Sequence, residues 1–308
     1  MRKILVTGGT NFVSRYTAEF FVKNGDEVYV LNRGSREQVE GVTLIQADRF
    51  NLGDELRDIR FDAVLDICAY SGDHVNALLD ALGEFDDFIL ISSSAVYPET
   101  NPQPFTEEQE LGANSIWGDY GTNKIAAEEA LRERVPEAYI LRPPYLYGKY
   151  ENIYRAPFVF DCALADRRFF IPESDRWLQF FNVRDLCRFM DILLTVHPEE
   201  RVFNVGNPEM ISVKEWVELC YAAADREPVI VRVDDNFTVR DYFPFHPYHY
   251  YLDVSRQQAL MPELTPLGEG IKEEFEWYAE EKPEMYRRDY TGFIDREFSA
   301  DGEQAEDN

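Results

Sequence analysis

The first fourteen residues constrain the fold of this chain most strongly. Residues 3–7, Lys-Ile-Leu-Val-Thr, form a short apolar run typical of a buried strand, and they lead directly into a turn with two glycines. From Phe12 onward the apolar residues recur at helical spacing, so a helix is predicted to begin there. In this order the elements form an anion site, because the N–H groups and the positive dipole end of the helix face the turn. Such a turn suits the pyrophosphate of a dinucleotide.

The turn departs from the dinucleotide-binding fingerprint at two positions. Asn11 and Ser14 stand where its second and third glycines are expected. Asn tolerates a left-handed backbone better than most residues, and Ser is small enough for close packing of helix on strand. Glycine motifs also match by accident, so an ordinary glycine turn is the alternative at this point.

Short apolar runs alternate with helical patterns through the first half of the chain. The predicted strands after the first helix are 27–31, 42–45, 63–67, 88–91 and 138–141, and the predicted helices include 74–82 and 120–134. This alternation predicts an α/β fold with a Rossmann-type, doubly wound parallel sheet. Ligands of such sheets bind beyond the carboxyl ends of the strands, so the loops there are where chemistry is expected.

Beyond residue 148 the pattern changes and predicts a smaller C-terminal substrate lobe. We assign 1–148 to the dinucleotide-binding domain, with 177–207 returning to it. The lobe comprises 149–176 and 208–299, and the acidic residues 300–308 are predicted to be a disordered tail.

The net charge of −27 over 308 residues limits the partners of the protein. Such a field repels the phosphates of nucleic acids and anionic lipid surfaces, so neither is expected to bind. The apolar runs are too short to span a bilayer, and the N-terminus shows no signal-peptide pattern, so a soluble, cytoplasmic protein is expected. An acidic, lysine-poor surface would also suit a high-salt cytoplasm. Neither the cysteines nor the histidines have metal-ligand spacing, so no metal site is predicted.

Tyr120 and Lys124 stand four residues apart on a predicted helix, and therefore share one face. A neighbouring ammonium favours the phenolate and lowers the pKa of the tyrosine, which makes Tyr120 a candidate general acid and base. The pattern Y-x-x-x-K is common, however, and without context it predicts only a surface pair.

The order and spacing of several motifs resemble the extended short-chain dehydrogenase/reductase superfamily, in its NAD-dependent epimerase/dehydratase branch. The motifs are Thr-Gly-Gly-Thr at 7–10, Ala-Asp at 47–48, Ser-Ser-Ser-Ala-Val-Tyr at 92–97, the Tyr and Lys of 120–124, Leu-Arg-Pro at 141–143 and Phe-Asn-Val at 181–183. The resemblance covers roughly residues 1–210. From 234 to 277 it is looser, and Phe-Pro-Phe at 243–245 and Leu-Asp-Val at 252–254 are similar to chloroplast stem-loop-binding relatives of the branch.

The resemblance implies an NAD(P)-dependent oxidoreductase or epimerase that acts on a secondary alcohol or carbonyl of a sugar or sugar-nucleotide-like substrate. Tyr120 would donate and accept the proton, Lys124 would hold the nicotinamide ribose, and Ser93 would orient the substrate, with Ser92 and Ser94 as alternatives. A homodimer is implied as well. The implied cofactor contacts are Gly8, Thr10, Asn11, Phe12, Val13, Asp48, Arg49, Lys124 and Pro144, and the further substrate candidates are Ser94, Tyr145, Asn182 and His246.

The chain departs from the family pattern at three places. The second strand ends in Leu-Asn-Arg-Gly at 31–34, without the acid that usually binds the adenosine ribose of NAD. Arg33 could pair with a 2′-phosphate, which favours NADP over NAD, unless Arg33 only faces solvent. Ser94 and Ala95 replace the Asp-Glu of dehydratases, so dehydration is not expected. Leu178 replaces the arginine that clamps a sugar-nucleotide diphosphate, although Arg155 or Arg176 could substitute.

Two alternatives from other classes stay open. One is a non-catalytic dinucleotide-binding sensor, against which the intact Tyr120 and Lys124 count. The other is an RNA-binding relative, against which the net charge counts. The aromatic run 242–250 is either a surface for a ring-shaped ligand or part of the core of the lobe.

Overall fold

The computed structural model describes residues 1–174 and 176–298. The strands are β1 (Lys3–Thr7), β2 (Glu27–Asn32), β3 (Thr43–Gln46), β4 (Phe61–Asp66), β5 (Phe85–Ile91), β6 (Tyr139–Arg142), β7 (Tyr145–Tyr147), β8 (Phe169–Pro172), β9 (Trp177–Leu178), β10 (Phe180–Asn182), β11 (Val202–Asn204), β12 (Ile211–Ser212) and β13 (Ile230–Val233). The helices are α1 (Phe12–Lys23), α2 (Gly72–Ala81), α3 (Asp119–Arg134), α4 (Ala156–Leu164), α5 (Val183–Val196), α6 (Val213–Ala223), α7 (Val239–Tyr242), α8 (Ser255–Leu260), α9 (Leu267–Glu281) and α10 (Tyr290–Glu297).

Within these residues the main sheet has seven parallel strands in the order β11-β6-β5-β4-β1-β2-β3. The chain starts at β1, moves outward to β3, and then returns across β4 to the other edge. This reversal of direction is that of a doubly wound sheet, and it confirms the α/β, Rossmann-type fold. The strand order reverses between β1 and β4, so the loops after these two strands lie at the usual ligand-binding position.

Alternate residues of β1 pack on opposite faces of the sheet. Ile4 and Val6 belong to a core cluster with residues of α1 and α5, whereas Leu5 belongs to a second cluster with residues of α2 and α3. All three are fully buried. A strand covered on both faces has a continuous apolar sequence, and β1 has such a sequence.

The chain divides into two compact units. Unit 1 comprises Met1–Glu151, Gln179–Met210 and Tyr250–Leu267, and contains the main sheet. Unit 2 comprises Asn152–Leu178, Ile211–His249 and Gly268–Asn308, and contains the parallel pair β8–β13 and the antiparallel pair β9–β12. The sequence assigned 250–267 to the substrate lobe, whereas in the structure the backbone N–H of Phe105 bonds to the carbonyl of Tyr251, within unit 1. The predicted acidic tail, 300–308, lies outside the described residues.

Most element boundaries differ from the sequence prediction by one to three residues. The short strands β7, β8, β9, β12 and β13 and the helices α7, α8 and α10 were not predicted, because each has too few residues to show a periodicity. Across the part of the chain that the structure describes, none of the helices combines the length and apolar character that crossing a bilayer requires.

Candidate functional site

The turn between β1 and α1 is shaped by two glycines. Gly8 and Gly9 have φ values of +93° and +90°, a region that residues with a side chain rarely adopt. A Cβ atom on Gly8 would lie 2.8 Å from Sγ of Cys68, and one on Gly9 would lie 2.6 Å from Cγ1 of Val30. Both positions therefore require glycine, for reasons of conformation and of space.

Helix α1 begins without a side-chain cap. Asn11 is the cap residue but its side chain makes no capping hydrogen bond, and the first turn carries no acidic residue. Ser14, in the place of the third glycine, is buried and donates its hydroxyl to the Asn11 carbonyl at 2.9 Å. The first N–H groups of a helix have no intrahelical acceptor, so this turn can bind an anion. Of the other predicted contacts, Thr10 and Val13 are partly exposed, whereas Phe12 is buried.

The end of β2 is tied to the glycine turn by an amide. The Nδ2 atom of Asn32 donates to the Gly8 carbonyl at 2.6 Å, and its Oδ1 atom accepts from the Gly34 N–H at 2.8 Å. Arg33, between these residues, is exposed. Asn32, which stands where an acid is usual, thus holds the backbone of the turn by hydrogen bonds. The next residue, Arg33, is a cation.

Arg49 is bound inside the protein. Its guanidinium forms a bidentate pair with Asp66, with an Nη1 to Oδ1 distance of 2.9 Å, and its Nε donates to the His74 carbonyl at 2.9 Å. Thr7 also donates to Asp66, at 2.8 Å. The adjacent Asp48, also a predicted cofactor contact, is exposed to solvent.

Lys124 is buried at the carboxyl edge of the sheet. Its ammonium donates to the carbonyls of Ala69, at 2.7 Å, and Ile91, at 2.8 Å, which follow β4 and end β5. The Nζ atom lies 5.2 Å from the ring centroid of Tyr70. Burial lowers the pKa of Lys124 to about 8. Since an ammonium has three N–H donors, one remains for a ligand.

Tyr120 lies in the first turn of α3, with 42% of its surface exposed. Its ring centroid is 6.0 Å from Nζ of Lys124, so the predicted pair shares one face of the helix. A Cβ atom on Gly121 would clash with the Ala95 carbonyl oxygen, which shows how closely α3 packs on the turn that follows β5. The phenol and the ammonium are thus placed at the end of β5.

The three consecutive serines after β5 have different surroundings. Ser92 is buried and donates to Oε1 of Glu128 at 2.6 Å, and Ser94 is buried and donates to the Pro143 carbonyl at 2.7 Å. Ser93 is partly exposed, and its hydroxyl oxygen accepts from the Ala95 N–H at 3.1 Å. Its own proton can still be donated, so Ser93 is the serine best placed to contact a ligand.

A buried ionic network, not predicted from the sequence, lies behind these serines. Arg142 donates to both carboxylate oxygens of Glu128, at 2.9 and 2.6 Å, and to the Tyr97 hydroxyl at 2.8 Å. Tyr97 in turn donates to Asn204 at 2.7 Å. Glu128 stands one turn after Lys124 on α3. This i, i+4 spacing is the sequence signal that indicates that Glu128 lies on the same helix face as Lys124.

The remaining predicted contacts divide between the two units. In unit 1, Asn182 accepts from the Arg184 N–H at 2.8 Å and so caps α5, while the Tyr145 ring lies 6.0 Å from that of Trp117. Pro144, also in unit 1, is partly exposed. His246 belongs to unit 2 and is partly exposed; burial and nearby arginines lower its pKa.

The aromatic run 242–250 is largely buried. In unit 2, Tyr242, Phe243 and Phe245 are each at most 1% exposed, and the Phe245 ring packs 4.8 Å from Trp216. Tyr250 is also buried, but it belongs to unit 1, where its ring lies 6.0 Å from Phe105. These rings favour the interpretation of the run as core.

Comparison with known families identifies this arrangement. The model of the NAD dependent epimerase/dehydratase family matches residues 4–83 and 74–206, which include the glycine turn, Tyr120 and Lys124. The chain belongs to this family. The predicted membership is thereby confirmed.

The proteins to which the chain is similar differ in the activities that their names describe. The chain is 25% identical over 301 residues to the Arabidopsis thaliana chloroplast stem-loop binding protein of 41 kDa b, covering 89% of this chain and 78% of that protein. It is 27% identical over 265 residues to a UDP-glucose 4-epimerase of Corynebacterium glutamicum, covering 71% and 79%. The crystal structure of dTDP-glucose 4,6-dehydratase from Bacillus anthracis in complex with NAD aligns with a TM-score of 0.72 at 17% identity, covering 91% of this chain and 97% of that one.

The exclusion of dehydration is therefore wrong in part. It depended on Ser94 and Ala95 in place of an Asp-Glu pair, yet a dehydratase is among the structural neighbours and the family includes this reaction. One dipeptide does not decide between reactions that this fold supports.

Proposed function

We propose that the protein is an NAD(P)-dependent oxidoreductase or epimerase that acts on a secondary alcohol or carbonyl of a sugar or sugar-nucleotide-like substrate. The observation that carries this proposal is the placement of Tyr120 beside the buried Lys124 at the end of β5. The glycine turn lies at the same carboxyl edge of the parallel sheet. A dinucleotide can span these positions because β1 and β5 are separated only by β4, and both positions lie at the carboxyl edge of a doubly wound sheet.

The residues present fit such a cofactor. The turn at Gly8 and Gly9 and the uncapped start of α1 would hold the pyrophosphate, and the remaining N–H of Lys124 would bind the nicotinamide ribose. When bound, the nicotinamide ring would supply hydride transfer. Tyr120 would move the proton of the reacting oxygen, and Ser93 would orient that oxygen by a hydrogen bond.

The choice between NADP and NAD depends on the end of β2. Asn32 stands in place of an acid, so no carboxylate there repels a 2′-phosphate, and the exposed Arg33 supplies a positive charge. We propose that NADP is preferred. The preference predicts tighter binding of NADPH than of NADH, with the ratio falling when Arg33 is replaced by Ser.

The proposed function is tested first by the bound nucleotide. Purified protein is denatured and the supernatant is examined for released dinucleotide, and cofactor-free protein is titrated with NADPH and NADH while nicotinamide fluorescence is followed. Retained NAD would support epimerisation, and an empty site that binds NADPH would support a free-standing reductase. Failure of the native protein to bind either dinucleotide would refute the proposal.

Replacement of Tyr120 by Phe tests the chemistry separately from binding. The variant lacks the proton-transferring hydroxyl, so kcat should fall by about 10²–10⁴-fold while dinucleotide binding stays within about twofold. Tyr70→Phe is the matched control, since Tyr70 is an exposed phenol near the same ammonium, and it should retain most of the activity. Full activity in Tyr120→Phe would instead support a non-catalytic sensor.

RNA binding is the second candidate function, because a stem-loop binding protein is among the relatives. The net charge of −27 opposes it. Retention of a labelled stem-loop RNA at moderate ionic strength, with loss at higher salt, would favour this alternative. We expect no retention.

A further inference from the structure

The proposed chemistry requires Lys124 to remain charged although it is buried. Only 2% of this residue is exposed, and its direct partners are two neutral carbonyls, those of Ala69 and Ile91. Removal of an ammonium from water favours its neutral form. A neutral amine could not stabilise a phenolate on Tyr120, so something in the surroundings must offset the cost of burial.

Two fully buried carboxylates lie on the elements that enclose Lys124. Glu128 is on the same face of α3, one turn further along, and is 0% exposed. Asp66 is the last residue of β4, three positions before Ala69, and is also 0% exposed. Neither was singled out from the sequence. A charged residue that ends an apolar strand is the signal that could have revealed Asp66.

Each carboxylate is bound by arginine and by a hydroxyl. Glu128 receives two bonds from Arg142, one from Ser92 and one from Arg132, at distances of 2.6–3.0 Å. Asp66 is paired with Arg49 and receives a bond from the Thr7 hydroxyl. Donors of this kind stabilise a buried carboxylate, and each acid forms a salt bridge with arginine on an element that encloses Lys124.

Only a few further groups act on the pKa of Lys124. Asp66, Cys68 and Glu128 raise the pKa of Lys124, in that order, whereas Arg49 lowers it. The rings of Tyr70 and Tyr120 lie 5.2 and 6.0 Å from Nζ. Burial raises the pKa of the Cys68 thiol, so Cys68 is uncharged at neutral pH. Among the groups that raise the pKa of Lys124, the carboxylates of β4 and α3 are then the ones that offset its desolvation.

We propose that Asp66 and Glu128 are positioning residues that keep Lys124 protonated at neutral pH, Asp66 paired with Arg49 and Glu128 with Arg142 and Arg132. The consequence for catalysis depends on the proposed function, whereas the protonation of Lys124 does not. In this proposal the ion pairs do more than attach α3 and the loop after β3 to the sheet. They maintain the charge that Tyr120 needs.

Direct titration of Lys124 tests the proposal. The chain has seven lysines, at 3, 23, 124, 149, 214, 272 and 282, so protein labelled with ¹³C at lysine Cε gives a readable spectrum, in which Lys124→Met identifies the signal of Lys124. In native protein this signal should titrate near pH 8. In Glu128→Gln and in Asp66→Asn its pKa should fall by about one unit, the order of magnitude for loss of one opposite charge near an ionisable group.

The matched control is Glu129→Gln, since Glu129 is the next residue of α3 and is exposed. It should leave the Lys124 titration unchanged. Because Glu128→Gln strands the charge of Arg142 in the core and could prevent folding, the variant Glu128→Gln/Arg142→Met removes both charges and should still lower the pKa of Lys124, by a smaller amount. An unchanged Lys124 titration in the folded Glu128 variants would overturn the proposal.

The titration uses the full chain without cofactor. Absence of dinucleotide binding would therefore refute the proposed function and leave this result intact, whereas an unchanged pKa would refute only the role of Asp66 and Glu128. In an active enzyme, the alkaline limb of kcat should also move to lower pH in Glu128→Gln and not in Glu129→Gln.

Discussion

Neighbouring residues of the same type acquire different roles from their surroundings. Ser92, Ser93 and Ser94 are identical in chemistry and adjacent in sequence, yet Ser92 bonds to Glu128 and Ser94 to the Pro143 carbonyl, which leaves Ser93 partly exposed. Adjacent residues of different type can differ in the same way: Asp48 is exposed, whereas Arg49 is paired with the buried Asp66. The partner that each side chain finds decides its availability to a ligand.

The glycine turn allows a prediction at this scale. Gly9→Ala should destabilise the protein by about 2–5 kcal/mol, because it adds both a strained φ and a Cβ atom in contact with the buried Val30. Gly25→Ala, with a φ of +85° and open space around it, should cost only about 1–2 kcal/mol. Urea unfolding measures both. Equal costs would show that the contact with Val30 does not matter.

At the scale of elements, α3 is a helix whose inner face is not wholly apolar. Lys124 and Glu128 are buried on the same face as Ala127 and Leu131. Packing of this helix on the sheet therefore carries an electrostatic cost that varies with pH. In most helices of this kind the buried stripe is apolar throughout.

This cost can be measured through Lys124→Met. The folded-state pKa of Lys124 is about 8 and an unfolded lysine titrates near 10.4, so between these values the unfolded chain binds more protons and stability rises with pH. From pH 7 to pH 10 the free energy of unfolding of native protein should rise by about 2 kcal/mol relative to Lys124→Met. The exposed control Lys23→Met should show no such difference. Parallel pH profiles for native protein and Lys124→Met would contradict the lowered pKa.

At the scale of the whole molecule, the net charge of −27 is the dominant electrostatic property. The described surface contains ion pairs such as Arg60–Asp86 and Arg201–Glu137, but acidic residues outnumber basic ones, 58 to 31. Mutual repulsion of the excess carboxylates opposes the compact state, and salt screens it.

Thermal stability should therefore depend on salt. Raising KCl from 0.1 to 1 M should increase Tm by about 2–5 °C, since exposed charges are screened within about 3 Å at the higher concentration. Differential scanning calorimetry measures the shift. Sucrose at matched osmolality is the control for a general solute effect. An equal rise in sucrose, or no rise in KCl, would contradict the electrostatic explanation.

The sequence by itself determined the alternation of strands and helices, the glycine turn and the Tyr120–Lys124 pair, because these depend on local periodicity and on short spacings. Only the tertiary structure decided which side chains are enclosed. Asp66 of β4 pairs with Arg49 of the loop after β3, and Glu128 of α3 pairs with Arg142 of β6; no local sequence pattern predicts these pairs, because each joins two different elements. Burial then gives Lys124 its lowered pKa, because desolvation depends on everything that surrounds a charge in space and not on its neighbours along the chain.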